Sequence, residues 1–119
     1  MSFRDAQTPF RDILESIELI DSFLSGIDFE AYKNDIKTKS SVERQLQIIT
    51  EAAYRLGDEA YQLCPGPDWK GYRGMGNILR HGYHKVDDTV VWDTVKHDLP
   101  QLKEAVSSIL AEQSPPTPE

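Results

Sequence analysis

Arg73, Asn77, Arg80, His81 and His84 stand close together in a chain of 119 residues. On a helix they fall at i, i+4, i+7, i+8 and i+11, and so share one face. A guanidinium chelates phosphate oxygens with a planar fork, an imidazole exchanges protons near neutral pH, and a carboxamide can orient either one. Together these side chains suit a polyanion. The local charge agrees: from Trp69 to Val86 there are Lys70, Arg73, Arg80 and Lys85 and no Asp or Glu, a charge of +4. The remaining residues hold 9 basic and 20 acidic side chains, or −11, which gives the formal net charge of −7. An ordinary solvated helix face also carries Arg, Asn and His, but a face kept only for solubility would normally intersperse acids.

The same stretch has Gly71, Gly74, Gly76 and Gly82. In a helix each costs on the order of 1 kcal/mol relative to Ala. Their number predicts a backbone that another helix or a ligand approaches closely. Tyr72, Met75, Leu79 and Val86 line up opposite the polar face and form its apolar stripe.

Other reactive side chains have plainer readings. His81-x-x-His84, followed by Asp87 and Asp88, has a spacing that can ligate zinc. A third ligand is not assured and Arg80 would repel a cation, so neither a metal nor another cofactor is expected. Cys64 lies in a helix-ending "CPGP" with no histidine at catalytic spacing, and reads as structural. As the sole cysteine it forms no internal disulfide, which points to a reducing, cytoplasmic setting. His97 reads as a surface residue, and Trp69 and Trp92 as core or dimer-interface anchors. Glu51 is either a partner for the basic helix or a solvated carboxylate.

The elements that must position the polar face are helices. Phe10, Ile13, Leu14, Ile17, Ile20, Phe23, Leu24 and Ile27 follow the helical period, with Thr8 as cap, Pro9 as first helical residue and Gly26 as stop. "DFEAYKNDIKTKS" reads as a short helix or turn. Ser40 or Ser41 caps a long second helix, whose Val42, Ile49, Leu56 and Leu63 repeat every seven residues until "CPGPD" ends it. A third major helix runs from Asp68, its cap, to about Tyr83. A fourth, capped by Asp87 or Asp88, keeps its apolar spacing through Pro100 and should kink there. The fold predicted is all-α: an antiparallel bundle of four main helices plus a short one, residues 1–112, followed by a disordered tail, 113–119. No apolar run approaches the roughly 20 residues of a membrane span, and the acidic balance argues against broad adhesion to nucleic acid.

"VERQLQIITEAAYRL", "PDW", "YRGMGNILRHGYHKVD" and "VVWDTVKHDLPQLKEAV", in that order, resemble the HepT-like toxins of the HEPN superfamily over roughly residues 10–110. The family motif is Arg-Asn, three residues, then His-x-Tyr. Asn77, His81 and Tyr83 match it, whereas Gly76 stands where the arginine is usual; Arg73 or Arg80 would have to deliver the guanidinium. The resemblance implies a metal-independent endoribonuclease: a ribose 2′-OH attacks the adjacent phosphate, His81 acts as general acid or base, an arginine stabilises charge and Asn77 orients the site. It also implies a homodimer in which two such helices form one cleft, and a minimal nucleotidyltransferase antitoxin that adenylylates Tyr83. A catalytically inactive protein that only binds this partner is the alternative that Gly76 raises.

Overall fold

The computed structural model describes residues 2–81 and 86–113, and side chains for all of these but Gln113. The protein is all-α, with no strand among the described residues. Four long helices carry it: α1 (Phe3–Phe23), α3 (Ile36–Leu56), α5 (Trp69–His81) and α7 (Leu99–Gln113). Short helices α2 (Phe29–Lys33), α4 (Ala60–Leu63) and α6 (Asp88–Asp93) lie between them. Gly82, Tyr83, His84 and Lys85 lie outside the described residues, as does the expected tail of 113–119 except for Gln113, which is helical and ends α7.

Two helices start earlier than the sequence reading places them. In α1 the cap is Ser2, not Thr8: Ser2 Oγ accepts from the Asp5 N–H at 3.2 Å, and the Asp5 carboxylate accepts from the Ser2 N–H at 3.3 Å. This reciprocal capping begins the helix before Pro9, so Pro9 lies inside it rather than at its first position. Its missing N–H costs a helical bond, but Ala6, Pro9 and Phe10 are all buried, and that packing holds the helix together. In α3 the cap is Asp35, not Ser40 or Ser41. Its carboxylate accepts from the Thr38 N–H at 3.2 Å and from the Thr38 hydroxyl at 2.7 Å.

The core forms where the apolar stripes of α1, α3 and α7 meet. Phe10, Ile13, Ile17 and Ile20 pack with Val42, Leu46 and Ile49, and with Leu99, Leu102 and Val106, all fully or nearly fully buried. Trp69 anchors the start of α5 in this core. It is fully buried, its indole N–H donates to the Cys64 carbonyl at 2.9 Å, and its ring tilts against Phe10 at 6.2 Å. Trp92 is half-buried between Phe29 and Tyr32, with the Lys96 ammonium 4.7 Å above its ring.

The heptad of the second helix runs past Leu56 with one interruption. Gly57 takes φ +64, a backbone region that glycine enters at little cost, and a 3₁₀ turn (57–59) leads into α4. The prolines then stop it, and Cys64 is buried. The break before α7 is also specific. Residues 94–98 form a π-helical turn, whose extra residue adjusts the chain just ahead of Pro100, which cannot donate a backbone hydrogen bond. Lys39, only 7% exposed, reaches Asp88 at 3.0 Å and ties α3 to α6.

Candidate nucleic-acid site

The third long helix begins as the sequence indicates. The Asp68 carboxylate accepts from the Gly71 N–H at 3.0 Å, and the Tyr61 hydroxyl accepts from the Lys70 N–H at 2.9 Å, so two of the orphan donors of α5 are satisfied. Tyr72 is buried, while Met75 and Leu79 are half-buried. The opposite side, with Asn77, Arg80 and His81, is exposed.

Gly76 explains how α5 sits on α3. It is buried, and a Cβ built there would lie 2.8 Å from Thr50 Oγ1 and 2.9 Å from Thr50 Cβ. Only a residue without a side chain allows this approach. The same hypothetical Cβ would lie 3.7 Å from Arg80 Nη1. Arg80, one turn later, thus folds its guanidinium back over the position that Gly76 leaves bare. There Arg80 Nη2 also reaches Asn77 Oδ1 at a long 3.4 Å.

Arg73 is placed differently. Its guanidinium donates to Asp58 Oδ1 at 2.8 Å, and its side chain is 22% exposed against 91% for Asp58. With Thr50 opposite Gly76 and Asp58 opposite Arg73, α3 and α5 run antiparallel. The structure therefore brings Arg80, Asn77 and the Gly76 backbone together and holds Arg73 to one side. His81 is the last described residue of α5, exposed and adjacent to Arg80. His84 and Tyr83 fall outside the described residues.

The remaining sequence candidates resolve into structural roles. Burial pushes the Cys64 thiol up to about 11, so at neutral pH it holds its proton and is a poor nucleophile. His97 is exposed. Glu51 is half-buried, and Arg44 on its own helix is the cation near it, at 4.0 Å, rather than any residue of α5. No group of three or more His, Cys, Asp or Glu side chains among the described residues could hold a metal ion. No described helix is long and apolar enough to cross a membrane. Sequence reasoning missed Thr50 and Asp58. Neither belongs to a recognisable motif, and only the packing of α3 and of the turn that follows it (57–59) on α5 gives them a part.

The chain matches the ribonuclease HepT-like family over residues 13–109. It belongs to that family. It is 42% identical over 92 residues to a Thermococcus cleftensis protein named "Probable ribonuclease HepT", covering 77% of this chain and 84% of the relative. It is 34% identical over 109 residues to a Methanocaldococcus jannaschii protein whose name ascribes RNase activity, covering 92% of this chain and 100% of the relative. No solved structure matches. At Gly76, where the sequence reading expects an arginine, there is no side chain, and the guanidinium nearest to the position belongs to Arg80.

Proposed function

We propose that this HepT-like protein is a metal-independent endoribonuclease, the toxin of a toxin–antitoxin pair, with Arg80 supplying the guanidinium that Gly76 lacks. The observation that carries the reading is Arg80 lying back over Gly76 beside Asn77 and His81, on a helix face without acidic residues. In the reaction the ribose 2′-oxygen attacks the adjacent phosphorus and the bond to the 5′-oxygen breaks. The 2′-hydroxyl proton leaves to a base, and the departing 5′-oxygen gains one. The products are a 2′,3′-cyclic phosphate and a free 5′-hydroxyl. His81 brings an imidazole to this face, the side-chain type that can both take and give a proton in such transfers. Arg80 forks onto the phosphate oxygens, whose charge builds as the five-coordinate phosphorus forms. Asn77 accepts from Arg80 and fixes its direction. Arg73, occupied by Asp58, adds attraction for RNA rather than direct catalysis.

The active form is a homodimer in which two α5 faces form one cleft, so that their local positive charge is concentrated against an acidic remainder. Neutralisation comes from a minimal nucleotidyltransferase antitoxin. It transfers AMP from ATP to the Tyr83 hydroxyl, releases pyrophosphate, and so places a phosphate and a nucleoside two residues from His81. Gly76 also favours a second reading, a catalytically inactive protein that only binds this partner.

One set of reactions separates the two. Labelled RNA is incubated with wild type, His81→Ala, Arg80→Ala and Arg73→Ala, and the fragment ends are analysed. The ribonuclease reading expects cyclic phosphate ends from wild type, loss in the first two variants and retention in the third. No cleavage by wild type, with stable binding of the nucleotidyltransferase, establishes the inactive binder instead. Intact mass after incubation with the partner and ATP tests the modification: one AMP should be gained by wild type and none by Tyr83→Phe.

A further inference from the structure

Tyr54 and Tyr61 are the exposed aromatic side chains among the described residues, at 68% and 41%; the other rings there are buried or half-buried. Both stand in one place. Thr50, Tyr54 and Asp58 are spaced i, i+4 and i+8, and so form one ridge of α3 and the turn after it. Each end of this ridge touches α5. Thr50 abuts the Gly76 backbone, and the Asp58 carboxylate accepts from Arg73 at 2.8 Å. Three residues further on, the Tyr61 hydroxyl accepts from the Lys70 N–H at 2.9 Å. The two tyrosines therefore border a seam whose α5 side carries Lys70, Arg73, Asn77 and Arg80.

Neither ring is used within the chain. The Tyr54 side chain makes no hydrogen bond or ring contact with the described residues, and Tyr61 is held by its hydroxyl alone. Tyr54 belongs to no apolar patch of the kind that the core of a protein interface needs, because Gln47, Glu51 and Asp58 flank it on the outer side of α3. Arg80 completes the geometry. Its guanidinium lies over Gly76, and so beside Thr50, one helical turn from Tyr54. Residues four apart on a helix stand about 6 Å from each other. A phosphate forked by Arg80 thus leaves the base of an adjoining nucleotide at the Tyr54 ring.

We infer that Tyr54 and Tyr61 are stacking platforms for the bases of single-stranded RNA, which this seam takes in preference to a duplex. The inference rests on the ribonuclease reading and adds to it the form of the RNA. Every base has a π-face, so a ring accepts it whatever the sequence, while Lys70, Arg73 and Arg80 hold the phosphates. In an A-form duplex the bases lie against one another, and none is free to lie on a ring at the protein's edge. The acids on this side do not oppose the strand: Asp58 is paired with Arg73, Glu51 has Arg44 at 4.0 Å, and stacking needs no charge.

Affinity is measured on the full chain with a labelled oligo(A) whose 2′-O-methyl groups block the attacking hydroxyl. The single strand is compared with the same strand annealed to its complement and with an abasic strand of equal length. Wild type should bind the single strand most tightly. Tyr54→Ala should weaken that binding by about 5- to 100-fold, the usual worth of one stacked base, and leave the other two probes unchanged. Tyr54→Phe, which keeps the ring, should bind as wild type does, and adding Tyr61→Ala to Tyr54→Ala should deepen the loss. Unchanged affinity in Tyr54→Ala, or an equal loss on all three probes, overturns the platforms. So does equal binding of abasic and normal strands by wild type with Tyr54→Ala turning dimers into monomers, which makes Tyr54 a contact between copies. Cleavage of unmodified RNA separates the two readings. Cleavage at subsaturating RNA that Tyr54→Ala leaves intact sinks the platforms alone, whereas Tyr54-dependent binding with no cleavage sinks the ribonuclease reading alone.

Discussion

On one side of α5, Asn77, Arg80 and His81 face solvent with Arg73 beside them. On the other, Asp68 and Asp98 face a cavity across Tyr72 and Met75. One helix of 13 residues thus separates a cationic surface from an anionic hollow. The sides also differ in how their charges are used. Arg73 is paired and Arg80 leans on Asn77, whereas Asp98 makes no ion pair with the described residues. Both sides depend on a glycine for close approach. Gly71 makes room for the Asp68 cap carboxylate, and Gly76 lets Thr50 of α3 come against the backbone. Gly74, between them, has open space where its side chain would be. The helix gives up intrinsic propensity at two points to gain a fixed position, and at a third for no packing reason that the structure shows.

The largest change that would break this comparison is on the cationic side. His81→Ala should lower RNA cleavage by about 10²–10⁴-fold, the usual contribution of a positioned acid or base. Because His81 is exposed, thermal stability should hardly move. Cleavage rates and a melting curve on the same preparation check both halves. A large fall in melting temperature would mean that the residue is structural.

Next in size is Gly76→Ala. The added methyl meets Thr50 at 2.8–2.9 Å, so α5 must move away from α3. Overpacking of this kind costs about 1–3 kcal/mol, and the gain in helix propensity returns up to about 1 kcal/mol. A net loss of about 1–2 kcal/mol in urea unfolding is expected, with reduced cleavage because Arg80 is displaced. Thr50→Ala in the same chain should recover part of the loss by removing Oγ1. Gly74→Ala is the contrast. With nothing within 4 Å of its Cβ, it should stabilise the protein by about 0.5–1 kcal/mol. If both glycines behave alike, close approach is not what distinguishes them.

The sequence showed the basic face through spacing and charge, because a helix whose period is known turns residue numbers into directions. It showed the bundle for the same reason: Val42, Ile49 and Leu56 are buried where their seven-residue repeat places them. It misplaced two helix starts because Ser2 and Asp35 act through local hydrogen bonds that compete with later Ser and Thr residues, and pattern alone does not rank them. The cavity was not legible at all. Asp68 reads only as a cap, and Asp98 lies thirty positions along the chain. Nothing in either segment says that α7 returns to face α5. Glycine abundance was the partial case: it announced a close approach but not which glycine makes it, nor that α3 is the neighbour.

The smallest expected effect concerns Asp58, the acid that intrudes on the cationic side. Its carboxylate is 91% exposed, so its pair with Arg73 should contribute little stability, about 0–1 kcal/mol. Asp58→Ala should therefore unfold almost as wild type does. It removes one negative charge beside the basic row and leaves the Arg73 guanidinium free. RNA affinity should then rise by about two- to threefold at low ionic strength, and the gain should fade as salt screens it. Affinity measured across a salt series, with the cleavage rate at saturating RNA, separates attraction from chemistry. A rise in affinity with an unchanged rate fits Arg73 as an auxiliary cation. A cleavage rate reduced by about tenfold or more would instead mean that Asp58 holds Arg73 in a position that the reaction needs, and the catalytic guanidinium would have to be shared between Arg73 and Arg80.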